Sequence, residues 1–179
     1  SFQSIHGKRV IIDLARIIQE NAAYLSEIDG AIGDGDHGIN MNKGFTLARQ
    51  QIEARDPVDL ASGLDLLGNI LFAEIGGAMG PLYGSLFMAM AEPARDKTEI
   101  DRETFGAMLN AALEAVQALG EAKVGDKTLI DTLAPACEAY NAAIADDSSF
   151  ADALASMATA AEAGKESTRD LVAKVGRSS

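Results

Sequence analysis

The chain has 179 residues, a length that suits one domain with a hydrophobic core, and no linker-like shift in composition marks a second domain. Lys and Arg total 15 against 27 Asp and Glu, which gives a formal charge of −12 with no basic stripe and argues against nucleic acid as a partner. The single cysteine excludes an intramolecular disulfide and indicates a cytoplasmic protein, and no apolar stretch reaches the ~18 residues that a membrane span needs.

Apolar residues at three- and four-residue spacing predict amphipathic helices along the whole chain, beginning with a helix from about His6 to Glu27. The later stripes are Leu60, Leu64, Leu67 and Leu71; Phe105, Leu109, Ala112, Val116 and Leu119; Ile130, Leu133, Cys137 and Ile144; and Phe150, Leu154, Met157 and Ala161. No segment alternates as a strand would. We therefore predict an all-α fold, a bundle or ring of about seven to eight antiparallel helices.

Gly and Pro mark the junctions between these helices and are concentrated in residues 30–38, in 76–84, at 93 and in 120–125. Before the helix that contains Phe105, the pair Thr98 and Asp101 resembles a capping box. Three of the junctions carry residues that point to chemistry.

The first junction contains Asp29, Asp34 and Asp36 within eight residues. Carboxylates this close repel one another unless a cation lies between them, and oxygen ligands alone favour a hard ion such as Mg²⁺. A solvated turn is an equally open interpretation, because Asp and Gly are favoured in turns for local reasons. A calcium-binding EF-hand loop is rejected, because its twelfth position would be Phe45 instead of Glu.

The second junction, from Gly76 to Gly84, is predicted to end one helix and begin the next, with Pro81 in the first helical turn. Backbone N–H groups at such a helix start can bind phosphate, and glycine lets the ligand approach the main chain. Close packing of helix ends also selects glycine, so both interpretations stay open for this segment.

The third junction, from Gly120 to Thr128, nearly matches a Walker A loop, but Asp126 is inserted before Lys127. A P-loop also follows a strand, whereas both flanks are helical here, so we reject that interpretation. We predict instead that Asp126 is the N-cap of the next helix.

His37 follows the acidic residues and could hydrogen-bond a phosphate or orient a carboxylate, although a surface His in a turn often has no role. Cys137 lies on an apolar stripe and is predicted to be a buried structural thiol. No nucleophile and base stand out together, so we assign no catalytic residue beyond the metal ligands.

Taken together, Ile32-Gly-Asp-Gly-Asp-His-Gly-Ile-Asn-Met-Asn42, then Gly76-Gly-Ala-Met-Gly-Pro-Leu-Tyr-Gly84, then Gly125-Asp-Lys-Thr128, resemble the nucleotide-binding L subunit of dihydroxyacetone kinases. Their order and spacing extend over nearly the whole chain, and the first motif is the most specific. Related fatty-acid kinase domains carry Thr where this sequence has His37. The resemblance implies one nucleotide-binding domain over residues 1–179, a closed up-and-down barrel with the nucleotide bound at one rim by interhelical loops.

The resemblance also implies which residues form the site. Asp29, Asp34 and Asp36 match the carboxylates that coordinate two Mg²⁺ ions on the phosphates of ADP or ATP. The residues that match nucleotide contacts are His37, Gly38, Ile39 and Asn40 after the acidic cluster, Ala78 and Met79 in the phosphate loop, Gly120 and Leu129 near the adenine, and Arg177 near the C-terminus.

Two departures from the family pattern concern the nucleotide. Met79 stands where the family usually has Ser, which removes a hydroxyl contact to phosphate. Family members also continue beyond Arg177 into an Asp-Pro-Gly loop that covers the nucleotide and a last helix. Either the sequence is truncated before these elements or the nucleotide cover is missing, and we expect the domain to lack the last helix.

The function implied by the resemblance is phosphoryl transfer to a small hydroxy-ketone held by a separate K subunit. Some members use free ATP, and others keep ADP as a cofactor that an M subunit of the phosphotransferase system rephosphorylates; we expect the second arrangement. The chain could also form a homodimer. The alternative is a non-catalytic nucleotide-sensing module that regulates a partner.

Overall fold

The computed structural model describes residues 1–175, and in that part of the chain seven α-helices account for nearly all of the regular structure. The helices are Gly7–Gly30 (α1), His37–Glu53 (α2), Leu60–Glu74 (α3), Met79–Ala94 (α4), Arg102–Ala118 (α5), Ile130–Ala145 (α6) and Phe150–Ser167 (α7). The all-α prediction is confirmed, and each predicted apolar stripe lies on a helix except for Leu119, which is the C-cap of α5.

A minimal antiparallel ladder joins the N-terminus to the α4–α5 connection, a feature that the sequence pattern did not predict. Strand β1 (Phe2–Gln3) pairs with strand β2 (Glu99–Ile100), and a short 3₁₀ helix, Ser4–His6, follows β1. Two-residue strands are too short to show the alternation by which a strand is recognised.

Helices that are consecutive in sequence pack against each other: α1 on α2, α2 on α3, α3 on α4, α4 on α5, α5 on α6 and α6 on α7. Because their connections are short, packed neighbours run antiparallel. The α1–α2, α3–α4 and α5–α6 connections consequently lie at the same end of the bundle, and the cavities described below lie among them.

The main core lies among the first helices. Ile11, Phe45, Leu67 and Leu71 are essentially inaccessible to solvent there, and full burial of one such side chain contributes ~1.5–3 kcal/mol. A second core surrounds Tyr140 on α6. This apolar packing fixes the helices in place and so positions the connections between them at the end of the bundle.

Cys137 is buried as predicted, and its thiol lies 3.4 Å from the Leu109 carbonyl oxygen on α5. Burial raises the pKa of this thiol to about 11, so it stays protonated at neutral pH. These properties match the structural role that its apolar stripe predicted.

The predicted capping box is wrong, because it made Thr98 the N-cap and Asp101 the residue that caps it in return. Asp101 is itself the N-cap of α5 and accepts a hydrogen bond from the Thr104 backbone N–H at 2.7 Å. Thr98 precedes β2, and its carbonyl accepts from the Ser4 N–H at 2.9 Å. The extended β2 residues between them leave no helical turn for a reciprocal cap.

Over residues 1–175, no helix combines the length and the apolar composition that crossing a membrane would require.

Candidate functional site

Three carboxylates converge where α1 ends and α2 begins. Asp29 lies in the last turn of α1, Asp34 in the connection and Asp36 at the N-cap of α2. Each offers an oxygen atom, and these atoms all lie within 4.8 Å of one another. Asp29 and Asp36 are half-buried, whereas Asp34 is exposed.

Glycine at two positions lets the chain turn this tightly. The Gly33 N–H donates to the Asp29 carbonyl oxygen at 2.6 Å, and a Cβ on residue 33 would lie only 2.5 Å from Oδ1 of Asp29. Gly35 has a φ of 75°, in the left-handed region that L-residues rarely adopt. The sequence Gly-Asp-Gly-Asp therefore folds so that its acidic side chains share one small volume.

The start of α2 lies directly against α1. A Cβ on Gly38 would lie 1.8 Å from the Ala22 carbonyl oxygen, so the helices approach backbone to backbone. The His37 N–H points at Oδ2 of Asp29 at 3.4 Å, and the His37 ring packs edge-on against Tyr83 of α4 with centroids 6.1 Å apart. Burial raises the pKa of Tyr83, which therefore stays neutral.

The second junction ends α3 and begins α4 at Met79, with Pro81 in the first helical turn, which confirms its predicted position. Gly77 has a φ of 67°. A Cβ on Gly80 would lie 2.2 Å from the Ile75 carbonyl oxygen, so this glycine is required for close packing of the helix ends. A Cβ on Gly76 would meet nothing within 4 Å, and close packing therefore does not explain this glycine.

The two junctions enclose a polar cavity of about 400 Å³. Its lining residues are Asp29, Asp36, His37, Asn40, Gly76, Gly77, Ala78 and Met79. The starts of α2 and α4 both contribute to the wall, and the first N–H groups of a helix have no partner within the helix. An anion in this cavity would meet two positive helix ends, while the carboxylates would repel it unless a cation were present.

The donor set fits a hard divalent cation. Within residues 1–175, Asp29 and Asp36 form no ion pair with Lys or Arg, so their charges are not neutralised by basic side chains. These carboxylate oxygens lie close together and are accessible to solvent. Such a set suits Mg²⁺, which binds one or two carboxylates together with water and phosphate oxygens.

An apolar pocket of about 320 Å³ adjoins the polar cavity, and Ala78 lines both. The other residues of the apolar pocket are Pro81, Leu82, Val116, Leu119, Gly120, Ala122, Thr128, Leu129, Ile130 and Val175. A ligand with an anionic end and a flat apolar end would match this pair of cavities.

The prediction that Asp126 caps the next helix is wrong, because α6 begins four residues later, at Ile130. Asp126 instead accepts from the Lys123 N–H at 2.8 Å inside the α5–α6 loop, residues 119–129. The carboxylate that bonds the N–H groups before α6 is that of Asp131, which is 1% exposed. A carboxylate inside the first turn is a rarer arrangement than an N-cap, so sequence reasoning did not single it out.

The structure brings most of the predicted site residues to the two cavities. The polar cavity contains Asp29, Asp36, His37, Asn40, Ala78 and Met79, with Asp34 beside it in the acidic cluster, and the apolar pocket contains Ala78, Gly120 and Leu129. Gly38 is buried against α1, and Ile39 is 67% exposed and lines neither cavity. Arg177 lies outside the described residues.

Sequence reasoning missed most of the apolar pocket. Val116 and Ile130 belong to helical stripes, which predict only that they pack inside the bundle, and Leu82 lies in none of the predicted stripes. Leu119 is different, because it ends a stripe yet is 49% exposed. Its exposure is visible only in the structure, and the sequence signal for this pocket was the family resemblance that placed Gly120 and Leu129 near the adenine.

The sequence model of the DAK2 domain matches residues 31–179. The ADP-binding subunit DhaL of PEP-dependent dihydroxyacetone kinase 1 from Listeria innocua is 36% identical over 96% of this chain and 80% of its own length. The corresponding Escherichia coli subunit is 32% identical over 91% of this chain and 78% of its own. These matches confirm the resemblance found in the sequence.

The fold is shared with a solved structure, the dihydroxyacetone kinase from C. freundii in complex with AMP-PNP and Mg²⁺. The TM-score is 0.70 over 92% of this chain, at 23% sequence identity. This chain spans 28% of the length of that one. At this identity the likeness establishes the helical fold alone.

Proposed function

The chain belongs to the DAK2 domain family, and on that premise we propose that it is the nucleotide-binding, phosphoryl-transfer subunit of a kinase for dihydroxyacetone or a related ketose. The Listeria innocua and Escherichia coli relatives, which align along most of their length, are named as ADP-binding subunits of such kinases. The geometry of the site supports the same assignment independently of those names.

The observation that carries the proposal is the junction of the two cavities at Ala78. An adenine nucleotide has a polyanionic end that needs cations and N–H donors and a flat base that gains from apolar burial. The polar cavity offers carboxylates for the cations and two helix starts for the phosphates. The adjoining pocket offers Leu82, Leu119 and Leu129 for the base.

Asp29, Asp34 and Asp36 would hold two Mg²⁺ ions against the phosphates. Bound Mg²⁺ supplies charge neutralisation for the transferring phosphoryl group and helps to keep attacking and leaving oxygens in line. The N–H groups at the starts of α2 and α4 would bind the remaining phosphate oxygens. These groups stay fixed because Gly38 and Gly80 pack their helices against neighbouring backbone.

We assign no general base to this chain. The hydroxyl oxygen of the ketose would attack the γ-phosphorus, the bond from that phosphorus to the bridging oxygen would break, and ADP would remain in the two cavities. The hydroxyl proton would leave to a group outside this chain, because the acceptor is held by a separate K subunit. Positioning and charge stabilisation would then supply most of the rate.

We propose further that ADP is retained between turnovers and is rephosphorylated in place by a phosphotransferase-system partner. The PEP-dependent relatives named above, described as ADP-binding, motivate this arrangement. In that cycle ADP acts as a cofactor, and the purified protein should carry it through gel filtration. Rapid exchange with free ATP would instead make the nucleotide a consumed substrate.

Reconstitution tests the function directly. The chain is incubated with a K subunit, dihydroxyacetone and Mg²⁺, together with either ATP or phosphoenolpyruvate and the phosphotransferase proteins, and sugar phosphate is measured. The proposal predicts product that depends on this chain and on Mg²⁺. Mg²⁺-dependent ADP binding without product in either mixture would favour the nucleotide-sensing regulator.

A further inference from the structure

The α5–α6 loop, residues 119–129, forms one wall of the apolar pocket although it contains no helix or strand. Two of its residues have left-handed backbone, Gly125 with a φ of 95° and Lys127 with a φ of 63°. A non-glycine residue pays a steric penalty in this region, so other contacts must hold the loop in place.

The carboxylate of Asp131 holds the loop from inside. It lies in the first turn of α6 and is 1% exposed. Its Oδ1 accepts from the Gly125 N–H at 2.5 Å, and its Oδ2 accepts from the Thr128 N–H at 2.7 Å. These two hydrogen bonds to one carboxylate tie residues 125 and 128 of the loop to the start of α6.

Asp131 is itself fixed by helix packing. A Cβ on Gly164 of α7 would lie 2.2 Å from the Asp131 carbonyl oxygen, so the two backbones are in direct contact. The anchor therefore does not depend on a flexible side chain reaching across solvent. It connects the rigid α6–α7 pair to the loop.

The loop also holds the segment that follows α7. Lys127 Nζ donates to the Leu171 carbonyl oxygen at 3.0 Å, and the Lys174 N–H donates to the Asp126 carbonyl oxygen at 3.2 Å. Val175, at the end of that segment, lines the same apolar pocket. The bonds of Asp131 thus support two walls of the pocket, although Asp131 does not line it.

We propose that Asp131 is a positioning residue for the nucleotide base: its carboxylate sets the conformation of the α5–α6 loop and so fixes the apolar pocket, while the polar cavity is independent of it. This inference rests on the proposed function for its ligand. If the inference is right, one substitution at Asp131 should weaken binding in the apolar pocket and leave binding in the polar cavity unchanged.

The test uses Asp131→Asn and two probes, Mg²⁺ with ADP and Mg²⁺ with inorganic pyrophosphate, measured by calorimetry. Pyrophosphate needs only the polar cavity, whereas ADP needs both cavities. We expect the Kd for ADP to rise about tenfold, as loss of a charge-assisted contact predicts, and the Kd for pyrophosphate to stay within about twofold. An equal loss of affinity for ADP and for pyrophosphate, or no loss of affinity for ADP, would overturn the proposal.

Asp101→Asn is the matched control, because it removes the charge of a carboxylate that accepts the same kind of bond, from the Thr104 N–H, at the opposite end of the bundle. It should lower the melting temperature without changing the ratio of the two Kd values. If it changed that ratio as much as Asp131→Asn does, the effect would be general destabilisation and the inference would fail.

Amide hydrogen exchange gives a readout that needs no nucleotide. In the unsubstituted protein the Gly125 and Thr128 amides should be protected despite lying in a loop, and Asp131→Asn should remove that protection. Fast exchange of both amides in the unsubstituted protein would refute the anchor even if the variant did not fold. Normal protection in a protein that binds neither probe would leave the anchor standing and refute the nucleotide assignment.

Discussion

The backbone N–H of His37, the first residue of α2, points at Oδ2 of Asp29 in the last turn of α1, with 3.4 Å between nitrogen and oxygen. This contact joins the two helices at the point where Asp34 and Asp36 approach the same carboxylate. Three negative charges held so close raise the free energy of the folded protein unless a cation offsets them. The site should therefore respond to metal before any chemistry takes place.

Asp36→Asn should weaken Mg²⁺-dependent ADP binding by about 100-fold, since it removes the charge of one ligand from the acidic cluster. The fold should survive, because the Asp36 side chain does not cap α2. Calorimetry with and without Mg²⁺ measures the effect. Asp146→Asn, on the exposed C-cap of α6, is the matched control and should bind as the unsubstituted protein does. Equal affinities for all three proteins would remove Asp36 from the site.

Gly38→Ala should destabilise the fold, because the new Cβ would lie 1.8 Å from the Ala22 carbonyl oxygen and neither backbone can move far. Overpacking of this kind costs about 1–3 kcal/mol. Denaturant unfolding measures the loss. Gly120→Ala, where a Cβ meets nothing within 4 Å, should change the free energy of unfolding by less than about 0.5 kcal/mol. Similar values for the two variants would mean that α1 and α2 do not pack so closely.

The helices were predictable because their signal is local. Leu60, Leu64, Leu67 and Leu71 repeat at helical spacing in α3. The structure buries Leu60 and Leu64 almost fully and Leu67 and Leu71 completely. The β1–β2 ladder was not predictable, since its two strands lie almost a hundred residues apart and each is two residues long. Pairing at that distance leaves no periodic pattern in the sequence.

The acidic part of the site was also visible in the sequence, because Asp34 and Asp36 are close neighbours between glycines. The apolar pocket has no such local pattern, since its walls come from α4, α5, α6, the α5–α6 loop and the segment after α7. Only the family resemblance placed Gly120 and Leu129 near the adenine. The role of Asp131 was not predictable either, because it depends on the burial of the side chain and on two backbone N–H groups of the loop that point at its carboxylate. Sequence spacing carries no information about such a turn.

Met79→Ser should tighten Mg²⁺-dependent ADP binding, because a hydroxyl at the start of α4 adds a hydrogen bond to a charged phosphate. Such a bond is worth about 1.4 kcal/mol, or about tenfold in Kd. The melting temperature should fall at the same time, since Met79 packs against the main core. Calorimetry and thermal unfolding of the same sample separate the two effects, and a weaker Kd would argue against phosphate at this position.

The free energy of unfolding should depend on pH through the ionisation of the Cys137 thiol. Burial raises the pKa of its thiol to about 11, against ~8.5 in an unfolded chain. Because the folded pKa is the higher one, the protonated thiol contributes stability that is complete below about pH 8.5 and is lost as the pH rises towards 11. Denaturant unfolding across that range should show a decline that is shallower in Cys137→Ala, and identical slopes would contradict the buried thiol.

Anomalous diffraction from crystals grown with Mn²⁺ and ADP tests the central claim most directly, because Mn²⁺ takes the same oxygen ligands as Mg²⁺ and can be located without ambiguity. The account predicts anomalous peaks about 2.0–2.2 Å from carboxylate oxygens of Asp29, Asp34 and Asp36, with the diphosphate completing the coordination and the adenine against Leu129. A nucleotide bound elsewhere, or acidic side chains that contact only water while ADP is present, would contradict it.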